Sequence, residues 1–378
     1  MRRFEAASAV CNLVSSMKTK PQGKQFRTVV GVDLGDKKHH VCVTDKDGTI
    51  LSETTIPNRR EHVVRLAKDY RGGLFALEVG THSPWVSRLI EENGCLCLVA
   101  NARKLRAIYQ NDRKCDALDA RMLAKLARVD PDLLSPIKHG SEERQLDRLA
   151  ITLRDSLVRQ RVNIISTIRF SLKSLGVRLP GCSTPHFAKL CRLELEDSPL
   201  LVVVETSLVA LDGLNSQIKA LDKQIAKTAA EQYPQTKLLE QITGVGPITS
   251  LSYVLAVGEP ERFEDSRDVA AYLGLVPRRD QSGKSDKQLP ISKAGNRDVR
   301  RLLVQSAQYI LGHFGPDCDL RRQGLKLAAR GGKAAKRKAI IAIARKLAVL
   351  MLVLWKTGNP YQPLRESTAE TAAKKQAA

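Results

Sequence analysis

Aromatic side chains are scarce: Phe, Tyr and Trp make up 4% of the 378 residues. So few rings argue against binding nucleic acid by extensive base stacking, which needs an aromatic platform for successive bases. The eight cysteines are scattered, and no C-x-x-C pair occurs. Cys95 and Cys97 fit alternating strand positions with both side chains on one face. Structural zinc needs paired cysteines or histidines at ligand spacing, so free thiols in a reducing cytoplasm are the reading that remains. Long apolar runs are missing too. The longest, Leu347 to Trp355, is too short to span a bilayer. Met1 to Met17 lack the sustained apolar core and cleavage site of a signal peptide, so neither membrane nor export is expected. Acidic residues are in deficit, 40 against 62 Lys and Arg, for a formal charge of +22. That excess points to a polyanionic partner, because phosphates collect Lys and Arg through counterion release.

The hydrophobic fraction of 43% is enough for large cores, and the length suggests two or three domains. Residues 1–27 read as a mobile basic leader. Strands follow at Val29–Asp33 and His40–Thr44, and a third passes through Ile50 and Leu51 after the Asp47-Gly48 turn. A helix over Arg60–Tyr70, a strand over Leu74–Glu78, a helix over Pro84–Glu92 and a strand over Cys95–Val99 complete the pattern. Three strands in hairpin order, then alternating strands and helices, describe a mixed sheet covered by helices, the order of the ribonuclease H-like fold. This first domain is expected over 28–135.

Arg113-Lys114-Cys115-Asp116-Ala117-Leu118-Asp119 opens a run of helix formers in which Asp116 and Asp119 leave one helical face about one turn apart. Alone, such a pair is a solvated acidic edge, Asp33 a strand-end turn residue, and Glu78 a surface or capping acid. Together they predict four carboxylates at one place: Asp33 and Glu78 on neighbouring strands, Asp116 and Asp119 on the helix beside them. Like charges repel, and a divalent metal is the common remedy. Two Mg²⁺ ions roughly 3.5–4 Å apart activate an attacking oxygen and stabilise a leaving one.

Beyond Glu142, Leu146, Leu149, Leu153 and Leu157 begin a helical repeat that runs to Leu175. After a Pro- and Gly-containing break, Leu211, Leu214, Ile218, Leu221 and Ile225 form a heptad seam. Two long helices joined by a loop predict an antiparallel coiled-coil arm over 141–232. A mainly helical domain follows over 236–360, and the tail 361–378 reads as disordered. Gly244-Val245-Gly246 lies between short helical patterns like a helix-hairpin-helix, whose glycines let backbone N–H groups approach a phosphate. A plain tight turn reads equally well. The overall class is α/β plus α.

Two stretches carry a family resemblance: the acidic pattern just described, and Gly274-Leu275-Val276-Pro277-Arg278-Arg279-Asp280-Gln281-Ser282-Gly283 followed by Ile291-Ser292-Lys293-Ala294-Gly295-Asn296. Across roughly 28–360 the chain resembles the insertion sequence one-ten family of transposases, relatives of Piv-type DNA invertases. The resemblance implies a RuvC-like DEDD domain whose Mg²⁺ or Mn²⁺ ligands are Asp33, Glu78, Asp116 and Asp119, and a C-terminal transposase domain whose essential serine is Ser282. It further implies cutting and rejoining of element-end and target DNA, guidance by a structured bridge RNA, and a homo-oligomer, dimer or tetramer, that completes its sites between subunits. The setting implied is the bacterial cytoplasm, at the nucleoid when acting. Asn101-Ala102-Arg103 departs from the Asn-Pro frequent in the family, and the leader is long; neither touches the five proposed catalytic positions.

A serine hydroxyl needs a base or a metal to become a nucleophile, and no histidine lies near Ser282 in sequence. Arg278, Arg279, Lys284 and Lys293 are placed to hold scissile phosphates. Ser285 is the rival nucleophile, ranked below Ser282 by the resemblance alone. A Holliday-junction-resolvase-like metal nuclease with water as nucleophile, and a non-enzymatic nucleic-acid-binding protein, are the alternative readings.

Overall fold

The computed structural model describes residues 25–105, 115–283 and 285–364. The leader to 24, Arg113, Lys114, Lys284 and the tail from 365 lie outside them. The chain divides into two units, Met1–Gly140 and Ser141–Ala378.

In the first unit, β1 (Thr28–Leu34), β2 (Lys38–Asp45) and β3 (Ile50–Pro57) form an antiparallel meander. Then come α1 (Arg60–Asp69), β4 (Leu74–Glu78), α2 (Ser83–Glu92), β5 (Leu96–Ala100) and α3 (Asp116–Val129). The sheet order is β3-β2-β1-β4-β5, with β4 parallel to both β1 and β5. Strand alternation splits the core in two. Val30, Val32, Val41, Phe75 and Leu77 pack with Val63, Val86 and Ile90 of α1 and α2. Val29, Leu74 and Ala76 pack with Leu123 and Ala127 of α3. Central strands covered on both sides need apolar residues at every position, hence the unbroken runs in β1 and β4. The third strand extends to Pro57, well past the predicted Leu51. Its Ser-Glu-Thr-Thr stretch is largely exposed, so it lacks the apolar signal of a strand while its Thr residues suit an edge.

The contact that places α3 is made by small residues. A Cβ on Gly31 would overlap the Ala120 carbonyl oxygen and come within 2.6 Å of the Ala124 nitrogen. Ala120 and Ala124 are buried against Cys42 of β2 at this crossing. Arg121 of α3 forms a bidentate pair with Glu53 of β3. Farther along, Arg128 donates to the Lys46 carbonyl at 3.4 Å.

The second unit opens with α4 (Glu142–Ser174), α5 (Phe187–Glu194) and α6 (Leu200–Gln232). α4 and α6 run antiparallel. Arg154 meets Asp222 at 2.8 Å, and Arg161 donates to Asn215 at 3.1 Å, so partner numbers fall as positions rise. Leu211, Ile218 and Ile225 of α6 are buried at seven-residue steps. By length and composition α6 also has an apolar window long enough to cross a membrane. Next come α7 (Gln235–Leu239), α8 (Pro247–Val257), α9 (Asp268–Tyr272), β6 (Pro277–Ser282), β7 (Ser285–Ile291), α10 (Arg297–Leu311), α11 (Asp319–Ala328) and α12 (Gly332–Thr357). The base of the long helices, at Ile151, Ile225 and Tyr233, joins one core with Leu303, Ile343, Leu347 and Met351. The longest apolar run of the sequence is thus the buried side of α12. The buried Tyr253 hydroxyl of α8 donates to its Ala348 carbonyl at 2.7 Å.

Gly31→Ala is expected to destabilise the first unit by about 1–3 kcal/mol, because a methyl there overpacks a backbone contact that cannot flex away. A thermal melt checks it against Gly181→Ala, where an added Cβ meets nothing within 4 Å.

Candidate active site

The elements that carry the four proposed carboxylates meet at one end of the first sheet. β1 and β4 pair in parallel through Gly31↔Ala76 and Val32↔Leu77, so Asp33 and Glu78 come next in register. Each lies two residues beyond a residue of the α3 side (Gly31 and Ala76), so both point to the face that α3 covers. Asp119 lies one turn before Leu123 on the sheet-facing stripe of α3 and is buried. Asp116, the first residue of α3, is exposed, and its Oδ2 lies 3.5 Å from His40 Nε2. His40 sits opposite Asp33 in the β1–β2 register. Sequence reading passed over His40; only strand pairing brings it beside the acids.

The helix start suits these acids, since Asp116 and Asp119 occupy the first turn, at the positive end of the helix dipole. Beneath the helix, burial and the Glu53 carboxylate push the Cys42 thiol up to about 11, which leaves it an inert core residue. Glu53 is itself held below the usual range by Arg121. The proposed ligands are all carboxylates, the oxygen chemistry that Mg²⁺ and Mn²⁺ take, and in that respect they fit such an ion. Their elements meet at one corner, but among the described residues no three His, Cys, Asp or Glu side chains are gathered closely enough to hold a metal.

Ser282 lies in the second unit, on a hairpin. β6 and β7 are antiparallel, with Ser282 paired directly to Ser285 at the exposed tip. Charged and small polar residues fill both strands, so the apolar alternation that marks a strand is absent from the sequence. The pairing puts the two rival serines side by side. It also sorts the cations by face. Gln281 pairs with Asp286 and Arg279 with Gln288, so Arg279 shares a face with Asp286, to which it forms a bidentate pair at 2.6 and 2.7 Å. That pair raises the guanidinium and lowers the carboxyl. The face of Ser282 and Ser285 carries instead Asp280 and Lys287, partners across the strands. Counting by twos from Ser285 would have found Lys287. Arg278 is exposed at a shift in register, and Lys284 lies outside the described residues.

The hairpin is held at its base. Ser292 and Lys293 donate backbone N–H bonds to Val276 and Gly274 at 2.9 and 3.1 Å, and Lys293 adopts φ 53°. A Cβ on Gly295 would overlap the Tyr272 carbonyl oxygen, and one on Gly274 would lie 2.7 Å from the Lys293 carbonyl carbon. Arg300 spans the crossing, donating to the carbonyls of Leu273 at 2.9 Å and Ala294 at 2.6 Å. Asn296 then caps α10 through the N–H groups of Asp298 and Val299. At the Gly-Val-Gly turn, Gly244 has φ 89° and is pressed against α10, where an added Cβ would meet Tyr309 Cδ1 at 3.2 Å. Gly246 is open and heads α8 with no side-chain cap.

Residues 30–176 match a transposase family of DEDD type, and residues 236–321 match the family described as Transposase IS116/IS110/IS902. The chain belongs to the IS116/IS110/IS902 family of transposases. It is 25% identical to the transposase for insertion sequence element IS1111A of Coxiella burnetii, over 92% of this chain and 95% of that one. The transposase for insertion sequence element IS1328 of Yersinia enterocolitica is 26% identical over 74% of this chain and 83% of its own. The pilin gene-inverting protein of Moraxella bovis is 29% identical over 39% of this chain and 46% of its own. Membership makes this chain a DNA transposase and sets aside the non-enzymatic alternative. The second match covers the whole hairpin clamp. Gly274, Gly295 and Asn296 therefore have structural reasons to be what they are, apart from any chemistry at Ser282.

Gly295→Ala should loosen the hairpin base, with a cost of about 1–3 kcal/mol from a strained left-handed backbone plus the overlap with Tyr272. Limited proteolysis at the hairpin is the check, compared with Gly283→Ala, which shares the left-handed backbone at φ 55° but whose Cβ meets nothing within 4 Å.

Proposed function

We propose that this transposase cuts and rejoins element-end and target DNA through a phosphodiester bond to Ser282, working with Asp33, Glu78, Asp116 and Asp119. The observation that carries the reading is the α3 N-terminus laid against Gly31, which brings the four acids' elements to one corner of the sheet. These acids would hold Mg²⁺ or Mn²⁺, and the bound ions would supply neutralisation of charge on the scissile phosphate. The Ser282 oxygen loses its proton and bonds to phosphorus as one strand ester bond breaks, and the departing hydroxyl takes a proton. Attack by another strand's hydroxyl on the phosphoserine then restores Ser282 and reseals DNA without an external energy source. Lys287, on the same hairpin face, steadies the phosphate.

In this reading the first unit is a ribonuclease H-like domain, supported by its sheet order, and α4 with α6 is a coiled-coil arm, supported by the seven-residue burial steps. A structured bridge RNA selects the DNA, and the hairpin of one subunit serves the carboxylates of another in a dimer or tetramer. The protein works in the bacterial cytoplasm. These last points rest on the family, not on geometry.

Asp119→Asn keeps the shape of a buried carboxylate and removes its charge. Strand cleavage should fall at least about a hundredfold while DNA binding persists; recombination at the wild-type rate would refute the metal-site reading. Ser282→Ala should lose the covalent protein–DNA adduct seen on denaturing gels with labelled DNA, and Ser285→Ala should keep it. The reverse result moves the nucleophile to Ser285. If neither change matters, water is the nucleophile and the resolvase-like nuclease reading replaces this one.

A further inference from the structure

The second unit contains a cleft of about 570 Å³ between α4, α8 and α10 that the proposed chemistry does not use. Its walls are apolar at Ile151, Ile248, Leu255 and Leu302, and no aromatic residue lines it. The rim is cationic. Arg148 and Arg297 stand there without an ion pair among the described residues, whereas Asp155 is occupied by Arg301 at 2.6 Å and by Arg159 at 3.6 Å. α8 begins at this rim, and the N–H groups of Ile248 and Thr249, in its first turn, have neither an intrahelical acceptor nor a side-chain cap. Inside, the Ser252 side chain is more than nine-tenths buried, and its Oγ has no hydrogen-bond partner among the described residues. A buried hydroxyl without a partner is costly unless something else completes it.

We propose that this cleft takes one nucleotide of bound DNA turned out of its stack. The volume is that of a small-molecule pocket, larger than a phosphate contact requires. The apolar walls would sandwich the base, as pockets for flipped bases do. A turn about its Cα–Cβ bond lets Ser252 Oγ reach the edge of the base, and the nucleotide's phosphate meets Arg148, Arg297 and the α8 N-terminus. The inference rests on the chain's action on DNA and on the Gly246 turn facing a phosphate, and it is independent of which group is the nucleophile.

The test uses the full-length protein and a fluorescein-labelled DNA duplex carrying one unpaired 2-aminopurine, beside the fully paired duplex. Wild type should bind the bulged duplex about tenfold more tightly, because an unpaired base spares the cost of unpairing, and 2-aminopurine fluorescence should rise as the base unstacks into walls that hold no ring. Thr152→Trp, on the exposed side of α4 where it fills the cleft, should abolish the preference and leave paired-duplex binding intact. Ser252→Ala should weaken the preference while keeping or raising the melting temperature, because it removes an unpaired buried hydroxyl. Equal affinity of wild type for both duplexes, or a preference that survives Thr152→Trp, overturns the proposal. So does a preference shown only by the ribonucleotide version of the bulge, which would make the cleft an RNA site. Asp119→Asn and Ser282→Ala should bind the bulged duplex like wild type, so a failure here and a failure of the strand-transfer reading are separable.

Discussion

A helix lies directly on a sheet only where no side chain stands between them, and at Gly31 none does. Backbone of α3 meets backbone of β1 there, with Ala120 and Ala124 as the helix's share of the contact. From that point the rest of the acidic corner follows. The same register that puts Gly31 beside Ala76 puts Asp33 beside Glu78, and one helical turn before Leu123 comes Asp119. The Arg121–Glu53 pair and the His40–Asp116 contact tie the helix start to β3 and β2 on the same face as the acids. Buried carboxylates are costly without compensation. Of the four, Asp119 is the buried one, and packing on small residues fixes the backbone that carries it.

The hairpin of the second unit follows another logic. Its strands are exposed and almost wholly polar, so it has no core of its own and depends on its anchorage. Gly274, Gly295 and Arg300 provide that anchorage where the two ends of the segment cross. Residues that hold the hairpin and the residue assigned to attack phosphorus are thus different, and they sit at opposite ends of it.

The positive charge is also less free than its total suggests. Arg154 is engaged by Asp222, Arg192 by Glu205 and Asp212, and Arg279 by Asp286. Such pairs at the surface contribute little stability and do not add to attraction for phosphate at close range. At the rim of the α4–α8–α10 cleft, by contrast, Arg148 and Arg297 have no ion pair among the described residues.

Periodicity alone determined much of this protein. Alternating and continuous apolar runs located the strands of the first sheet, and the heptad seam located α6, because burial on a regular element imposes its period on the sequence. Ser282 and the acids are proposed from family-specific letters, which no period of burial supplies. Other features had no local signal. The β6–β7 hairpin is one, because strands without a buried face carry no apolar alternation. His40 and Lys287 became visible only through cross-strand register, and the Arg279–Asp286 pair through the face both share. The roles of Gly31, Gly274 and Gly295 depend on backbone brought close from distant parts of the chain. Sequence records the environment of a residue along its own element, and contacts between elements are decided only when the elements pack.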